Sequence, residues 1–178
     1  MKKNLLILFG FVILPRLLYS QPPNWTVITD NSTGITFSAP GNTSKIDSLY
    51  TTLYGAAIDS TEAVQVHIFK NANITNSDPV FNEALIEESN DTLRAIARII
   101  LLTTDSELTE IVEVNTNGIR GLEIGIKYNS LQTDVPYHTI TRYYMFGENF
   151  VSFTWTAKET KLKSGNIAKD SFFNSVNL

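Results

Sequence analysis

Two spacings of apolar residues organise this chain. Most segments alternate with a period of two, as half-buried strands do, and two repeat every three to four residues, as amphipathic helices do. Trp25 to Thr29 is the first strand. The cluster Asp30-Asn31-Ser32-Thr33-Gly34 turns the chain, and Ile35 to Ala39 returns until Pro40-Gly41 stops it. Ser48 to Tyr54 predicts a third strand and Glu62 to Phe69 a fourth, with Val64, Val66 and Ile68 on one face and His67 in the opposite phase.

The period then changes. After the polar stretch Asn71 to Ser77, Asp78 suits a helix N-cap and Pro79 the first helical position. Phe81, Leu85, Glu88, Thr92, Ile96 and Ile99 follow at spacings of three and four. The pattern predicts a long central helix from Pro79 to Leu102, with Ser89-Asn90-Asp91 as the place where it would divide in two. Thr103 to Leu108 reads as a loop.

The rest returns to strands. Glu110 to Asn115 alternates acidic and apolar residues, Asn117-Gly118 is a tight-hairpin signal, and Ile119 to Tyr128 is the partner strand. A loop from Asn129 to Asp134 precedes Tyr137 to Phe146, which turns through Gly147-Glu148-Asn149 into Phe150 to Thr156. A polar connection from Lys158 to Gly165 leads to Asn166, a cap for a short terminal helix carrying Ala168, Phe172 and Val176 on one stripe. Strands grouped apart from helices mean an α+β fold, here a mostly antiparallel sheet covered by a long central helix and a short C-terminal helix.

Three segments, in this order, are similar to one known family. Gly34-Ile35-Thr36-Phe37-Ser38-Ala39-Pro40 is a strand ending in proline. The Asn117-Gly118 hairpin follows a long helix. Phe172-Phe173-Asn174-Ser175-Val176 is an aromatic, small and serine ending. Together they resemble the PsbP-like superfamily, an α/β/α sandwich that includes photosystem II accessory proteins, the yeast Ran-binding import factor and exported bacterial proteins of the DcrB type. No tryptophan follows Pro40 closely, as it does in many relatives. The resemblance implies a binding or accessory role and carries no catalytic residue across.

The beginning of the chain changes the arithmetic. Lys2 and Lys3 precede an apolar run from Leu5 to Leu14, broken only by Gly10. Pro15 and Arg16 end it, and Leu18-Tyr19-Ser20 leads into Gln21. This is the layout of a secretory signal peptide cleaved between Ser20 and Gln21. The run is shorter than the ~20 residues that span a bilayer. Removing residues 1–20, which carry three basic groups and no acid, takes the chain from 178 to 158 residues and its formal net charge from −4 to −7. The expected product is one domain, 21–178, in the periplasm or the medium. It has no cysteine, hence no disulfide, no lipid-accepting cysteine and no stable membrane anchor after cleavage. The acidic balance argues against a nucleic-acid partner.

Candidate chemistry is sparse. His67 and His138 are the two histidines, without the three or four ligands and the spacing of a zinc site and without a G-x-S-x-G serine elbow. Glu83, Glu87, Glu88 and Asp91 crowd one stretch of the expected helix, read as a solvated face compensated by Arg94 and Arg98 rather than a glycosidase pair. Asp105, Glu107, Glu110 and Glu113 form an acidic run without the central glycine of a calcium loop. Gly118, Gly121 and Gly125 lie within a hairpin, where turn and bulge roles apply. Five Asn-x-Ser/Thr triplets, Asn24 and Asn73 among them, are expected by chance in a chain with 16 Asn, 20 Thr and 14 Ser. Aromatics concentrate on the last hairpin. Tyr137, His138, Arg142 and Tyr144 are the candidate surface for a ligand or an envelope protein partner. No cofactor is implied. The resulting reading is an exported, non-enzymatic binding or accessory module. A hydrolase using His67 or His138, and a surface protein that self-associates through an edge strand, are the alternatives.

Overall fold

The computed structural model describes residues 24–70, 83–84, 87–88, 91–103, 106–129, 135–164 and 167–178. A two-stranded ribbon comes first, β1 (Trp25–Thr29) against β2 (Thr36–Pro40). Seven further strands form one antiparallel sheet: β3 (Ser44–Asp47), β4 (Thr51–Ala57), β5 (Glu62–Phe69), β6 (Glu107–Thr116), β7 (Ile119–Asn129), β8 (Pro136–Phe146) and β9 (Asn149–Lys158). Their spatial order is β3-β4-β5-β9-β8-β7-β6. Helix α1 (Thr92–Thr103) lies between β5 and β6 in the chain, and a 3₁₀ turn at Glu159–Ser164 precedes α2 (Ile167–Asn174).

The alternation read from the sequence is the alternation found. Val64, Val66 and Ile68 of β5 stand beside Trp155, Phe153 and Val151 of β9 on one face. That face carries the main core, closed by Ile35 and Phe37 of the ribbon and by Phe172, Phe173 and Val176; it is the α2 face below. Helix α1 covers part of the other, the α1 face, setting Leu93 and Ala97 on Leu122, Ile124, Tyr143 and Phe150.

The two end segments behind the family resemblance meet in space. Phe153 takes the rings of Phe37 and Phe172 edge-on, with centroids 6.1 and 6.2 Å away. The Ser38 N–H donates to Ser175 Oγ at 2.8 Å, and the Ser175 hydroxyl donates to the Phe172 carbonyl at 2.7 Å. Thr36 and Asn177 exchange backbone hydrogen bonds beside it.

Three expectations are corrected. The long central helix from Pro79 to Leu102 is not found: α1 has 12 residues and starts at Thr92. Asp91 is the reason. Its Oδ1 accepts the N–H groups of Leu93 (3.1 Å) and Arg94 (3.2 Å), the geometry of an N-cap, so the chain enters the helix anew there. Upstream, the Glu88 N–H bonds the Ala84 carbonyl in a separate helical turn; the expected cap at Asp78-Pro79 lies outside the described residues, as does Asn166. Second, Ser48–Tyr50 is a turn, not the start of a strand, and an unexpected strand, β3, precedes it. Third, β6 starts at Glu107, inside the expected loop, because a register shift between Leu108 and Glu110 hides its period.

Asp91 also ties α1 to the sheet, since Arg120 of β7 donates to its Oδ2 at 2.7 Å and to Glu113 of β6 at 2.9 Å. Asp91→Ala removes cap and tie together. The expected loss is about 1–2 kcal/mol of stability, read from urea unfolding, with helical content falling first in circular dichroism.

Candidate interaction surfaces

The expected surface residues separate once the strand is folded. Along β8, His138, Arg142 and Tyr144 point to the α2 face and Tyr137 to the α1 face. Tyr144 is 0% exposed; its ring lies against Phe153 and its hydroxyl pairs with Thr116 at 2.8 Å, so it belongs to the core. Arg142 spans Glu123, 2.6 Å from its Nε, and the Phe173 ring, 4.4 Å from its guanidinium carbon. Tyr137 stacks on Tyr128 at 5.9 Å. His138 Nε2 meets Thr109 Oγ1 at 3.0 Å, while its Nδ1 is buried without a partner.

The two histidines cannot serve one centre. His67 faces the α1 side, opposite Ser152, and His138 the α2 side, opposite Ala157. Burial lowers the pKa of both, which favours neutral rings. Around His67 the α1 face is lined by hydroxyls, with Thr139 paired to Thr156 at 2.9 Å and Thr141 to Thr154 at 3.1 Å. Such cross-strand pairs hold strands together. Among the described residues no three His, Asp or Glu side chains gather as a metal site.

The carboxylates of the helix region are held by arginines. Arg98 reaches Glu87 at 2.7 Å and Glu88 at 3.6 Å. Hydrogen bonds from Arg120, then Arg94, hold the Glu113 pKa at about 2. The crevice between β2, β4, β5 and α2, lined by Phe37, Tyr54, Val66 and Phe172 among others, leaves no room for even a water molecule and so is no small-molecule site. No described helix is long and apolar enough to cross a membrane.

The surfaces that stand out lie at the two ends of the sheet. At one end, the β3–β4 turn presents Leu49 at 78% and Tyr50 at 71% exposure, beside Ile46 at 54%. That turn is braced. Ser48 and Thr51 bond each other through backbone and hydroxyl groups, and the Lys70 N–H donates to the Tyr50 carbonyl at 2.8 Å. Lys70 Nζ reaches the Ser48 carbonyl at 3.2 Å and Asp47 at 2.6 Å. The Thr52 hydroxyl donates a second hydrogen bond to Asp47 at 2.8 Å. The Lys70 hydrogen bond, followed by that from Thr52, holds the Asp47 carboxyl far below the usual range. Two large apolar side chains are thus held out in water on a turn whose backbone is fixed by several hydrogen bonds. Sequence reading missed them, because Thr, Leu and Tyr there mimic a strand; the Asp47-Ser48 pair was the available turn signal.

At the other end, β6 is an outer strand, with Leu108, Ile111 and Val112 between 43% and 46% exposed. Among the described residues Glu107 and Glu110 form no ion pair within 4 Å; Lys127, opposite Glu107 and within reach of its charge, bonds Glu159 instead.

No protein-family model and no curated protein matches this sequence. Solved structures do. Cyanobacterial PsbP from Synechocystis sp. PCC 6803 superposes with a TM-score of 0.55 at 11% identity, over 89% of this chain and 95% of that one. The Ran-binding protein Mog1p of Saccharomyces cerevisiae gives 0.46 at 10% identity, over 87% and 95%. LpqN of Mycobacterium tuberculosis, involved in cell envelope biogenesis, gives 0.44 at 7% identity, over 90% and 87%. The cyanobacterial match establishes a PsbP-like α+β fold, as the three sequence segments implied.

Proposed function

We propose that this chain is an exported, non-enzymatic accessory module of the cell envelope that binds a protein partner. The observation that carries this reading is the braced β3–β4 turn. Leaving Leu49 and Tyr50 exposed forgoes about 1.5–3 kcal/mol for each large apolar side chain. A fold with a large core nearby and a stiff turn that holds them outward is built to recover that energy in a partner. Tyrosine is among the residues that dominate binding hot spots. The PsbP-like fold agrees with a binding or accessory role. Export follows from the leader ending at Ser20: the mature protein starts at Gln21, which N-terminal sequencing of the extracytoplasmic protein reads directly.

The paired replacement Leu49→Ser with Tyr50→Ser tests the binding role. Surface changes of this kind alter stability by less than about 0.5 kcal/mol, so melting stays within about 3 °C of wild type. Partner recovered from the envelope fraction with a tagged chain falls at least about 30-fold. Undiminished recovery with the doubly substituted protein would overturn the assignment of the turn.

A further inference from the structure

The opposite end of the sheet carries a second, chemically different surface. From Glu110 to Thr116, β6 keeps a regular register with β7, which at strand geometry is roughly 23 Å of edge. An outer strand of this length, exposed and rich in β-branched residues, templates the addition of another strand. Natural chains blunt such edges with lysine or proline. Between Glu107 and Thr116 there is neither, and the charges are all glutamates.

The bulge arranges those charges. Glu107 lies opposite Lys127 and Glu110 opposite Gly125, two ladder positions apart on the α2 face. Thr109 and Glu110 both lean over Gly125, where an added Cβ would meet Thr109 Oγ1 at 2.5 Å and Glu110 Cγ at 2.8 Å. Two residues separated by three in sequence therefore sit side by side, with Val112 and Val114 continuing the same row. On the α1 face Leu108 and Ile111 follow one another, and Glu113 is already neutralised by Arg94 and Arg120.

We infer that β6 accepts an extended segment of a protein partner, added antiparallel, that carries two basic residues two positions apart after a β-branched stretch. The basic pair meets Glu107 and Glu110, and the β-branched residues meet Val112 and Val114. A second copy of this chain is disfavoured as occupant, because it brings its own glutamates and, without residues 1–20, a net charge of −7 to the same edge. The surface lies at the far end of the sheet from Leu49 and Tyr50, so the two assignments fail separately.

The probe is the end-capped peptide Val-Thr-Val-Val-Lys-Leu-Lys, with a control in which glutamate replaces both lysines. The wild-type chain binds the lysine peptide at least about tenfold more tightly than the control, and added salt weakens that preference. Hydrogen exchange slows in Glu110–Thr116. The pair Glu107→Lys with Glu110→Lys, folded by circular dichroism, reverses the preference toward the control peptide. No preference between the peptides, a preference unchanged by the charge reversal, protection placed elsewhere, or a wild-type dimer that blocks the peptide would each overturn the proposal.

Discussion

Asp30→Ala destabilises the protein by about 3 kcal/mol, and the loss shrinks as the pH falls. Asp30 is a buried carboxylate at the ribbon turn. Its Oδ1 accepts the N–H groups of Ser32 (3.1 Å) and Thr33 (3.0 Å) and both their hydroxyls, and its Oδ2 accepts the Tyr54 hydroxyl at 2.8 Å. Burial alone would raise its pKa, but the hydrogen bonds from Ser32, Tyr54 and Thr33 outweigh that and hold it below the ordinary value. Burial, then the bond to Asp30, keeps the Tyr54 phenol protonated well above its usual range. Alanine leaves that hydroxyl and two turn amides without an acceptor, at about 1–3 kcal/mol for a buried orphan. The sign with pH follows from the lowered pKa. The carboxylate's contribution is complete above the ordinary aspartate pKa and fades as pH falls through the folded value. Urea unfolding at neutral pH and near pH 3, on wild type and Asp30→Asn, checks this: the gap between the two proteins narrows in acid. A gap that stays constant would mean that the carboxylate charge contributes nothing to this turn.

Gly121→Ala costs about 2–3 kcal/mol, although it adds one methyl group to a strand. An added Cβ at Gly121 would lie 2.4 Å from Cε1 and 2.6 Å from Cδ1 of Tyr144, and 2.8 Å from the Tyr143 carbonyl oxygen. The Tyr144 ring has nowhere to withdraw, since it is wedged against Phe153 and held by Thr116. Overpacking of this kind typically costs 1–3 kcal/mol. In combination with Tyr144→Leu the alanine becomes cheaper than it is alone, a coupling that a double-mutant cycle measures. Additive losses would show that the ring does not set the glycine requirement. Gly118→Ala acts differently: φ is +85° at Gly118, the left-handed region, in a turn where no atom crowds an added Cβ.

The strands of this fold are legible because each has one buried face. Alternation in Val64-Gln65-Val66-His67-Ile68 and in Val151 to Trp155 gives both the strand and the side that faces the core. Legibility fails where the period is interrupted. The bulge at Thr109 adds one residue, so Glu107 and Leu108 fall out of phase and read as loop. The stripe running from Leu85 through Ile96 crosses Asp91 as if one helix continued; Ser89-Asn90-Asp91 is the break the sequence offers as the alternative, and an aspartate cap does restart the helix there. Tertiary choices are not in the pattern at all. Tyr144 and Arg142 share a phase, yet one is sealed under the ribbon side of the core and the other spans an acid and a ring. The exposed Leu49 and Tyr50 carry the same residue types as a buried strand, and only Lys70, from the end of β5, shows that they belong to a turn pinned outward. Conversely, Gly118, Gly121 and Gly125, read as turn and bulge positions, occupy a turn, a ring contact and a bulge.

The account rests on the claim that the braced turn meets another protein in the envelope. The direct measurement places the photo-crosslinking residue p-benzoyl-phenylalanine at position 49 and, as a reference, at the exposed turn residue Glu148, then irradiates living cells. The predicted result is one discrete crosslinked protein from position 49 and none from position 148. No discrete product from position 49, or the same product from both positions, would contradict it.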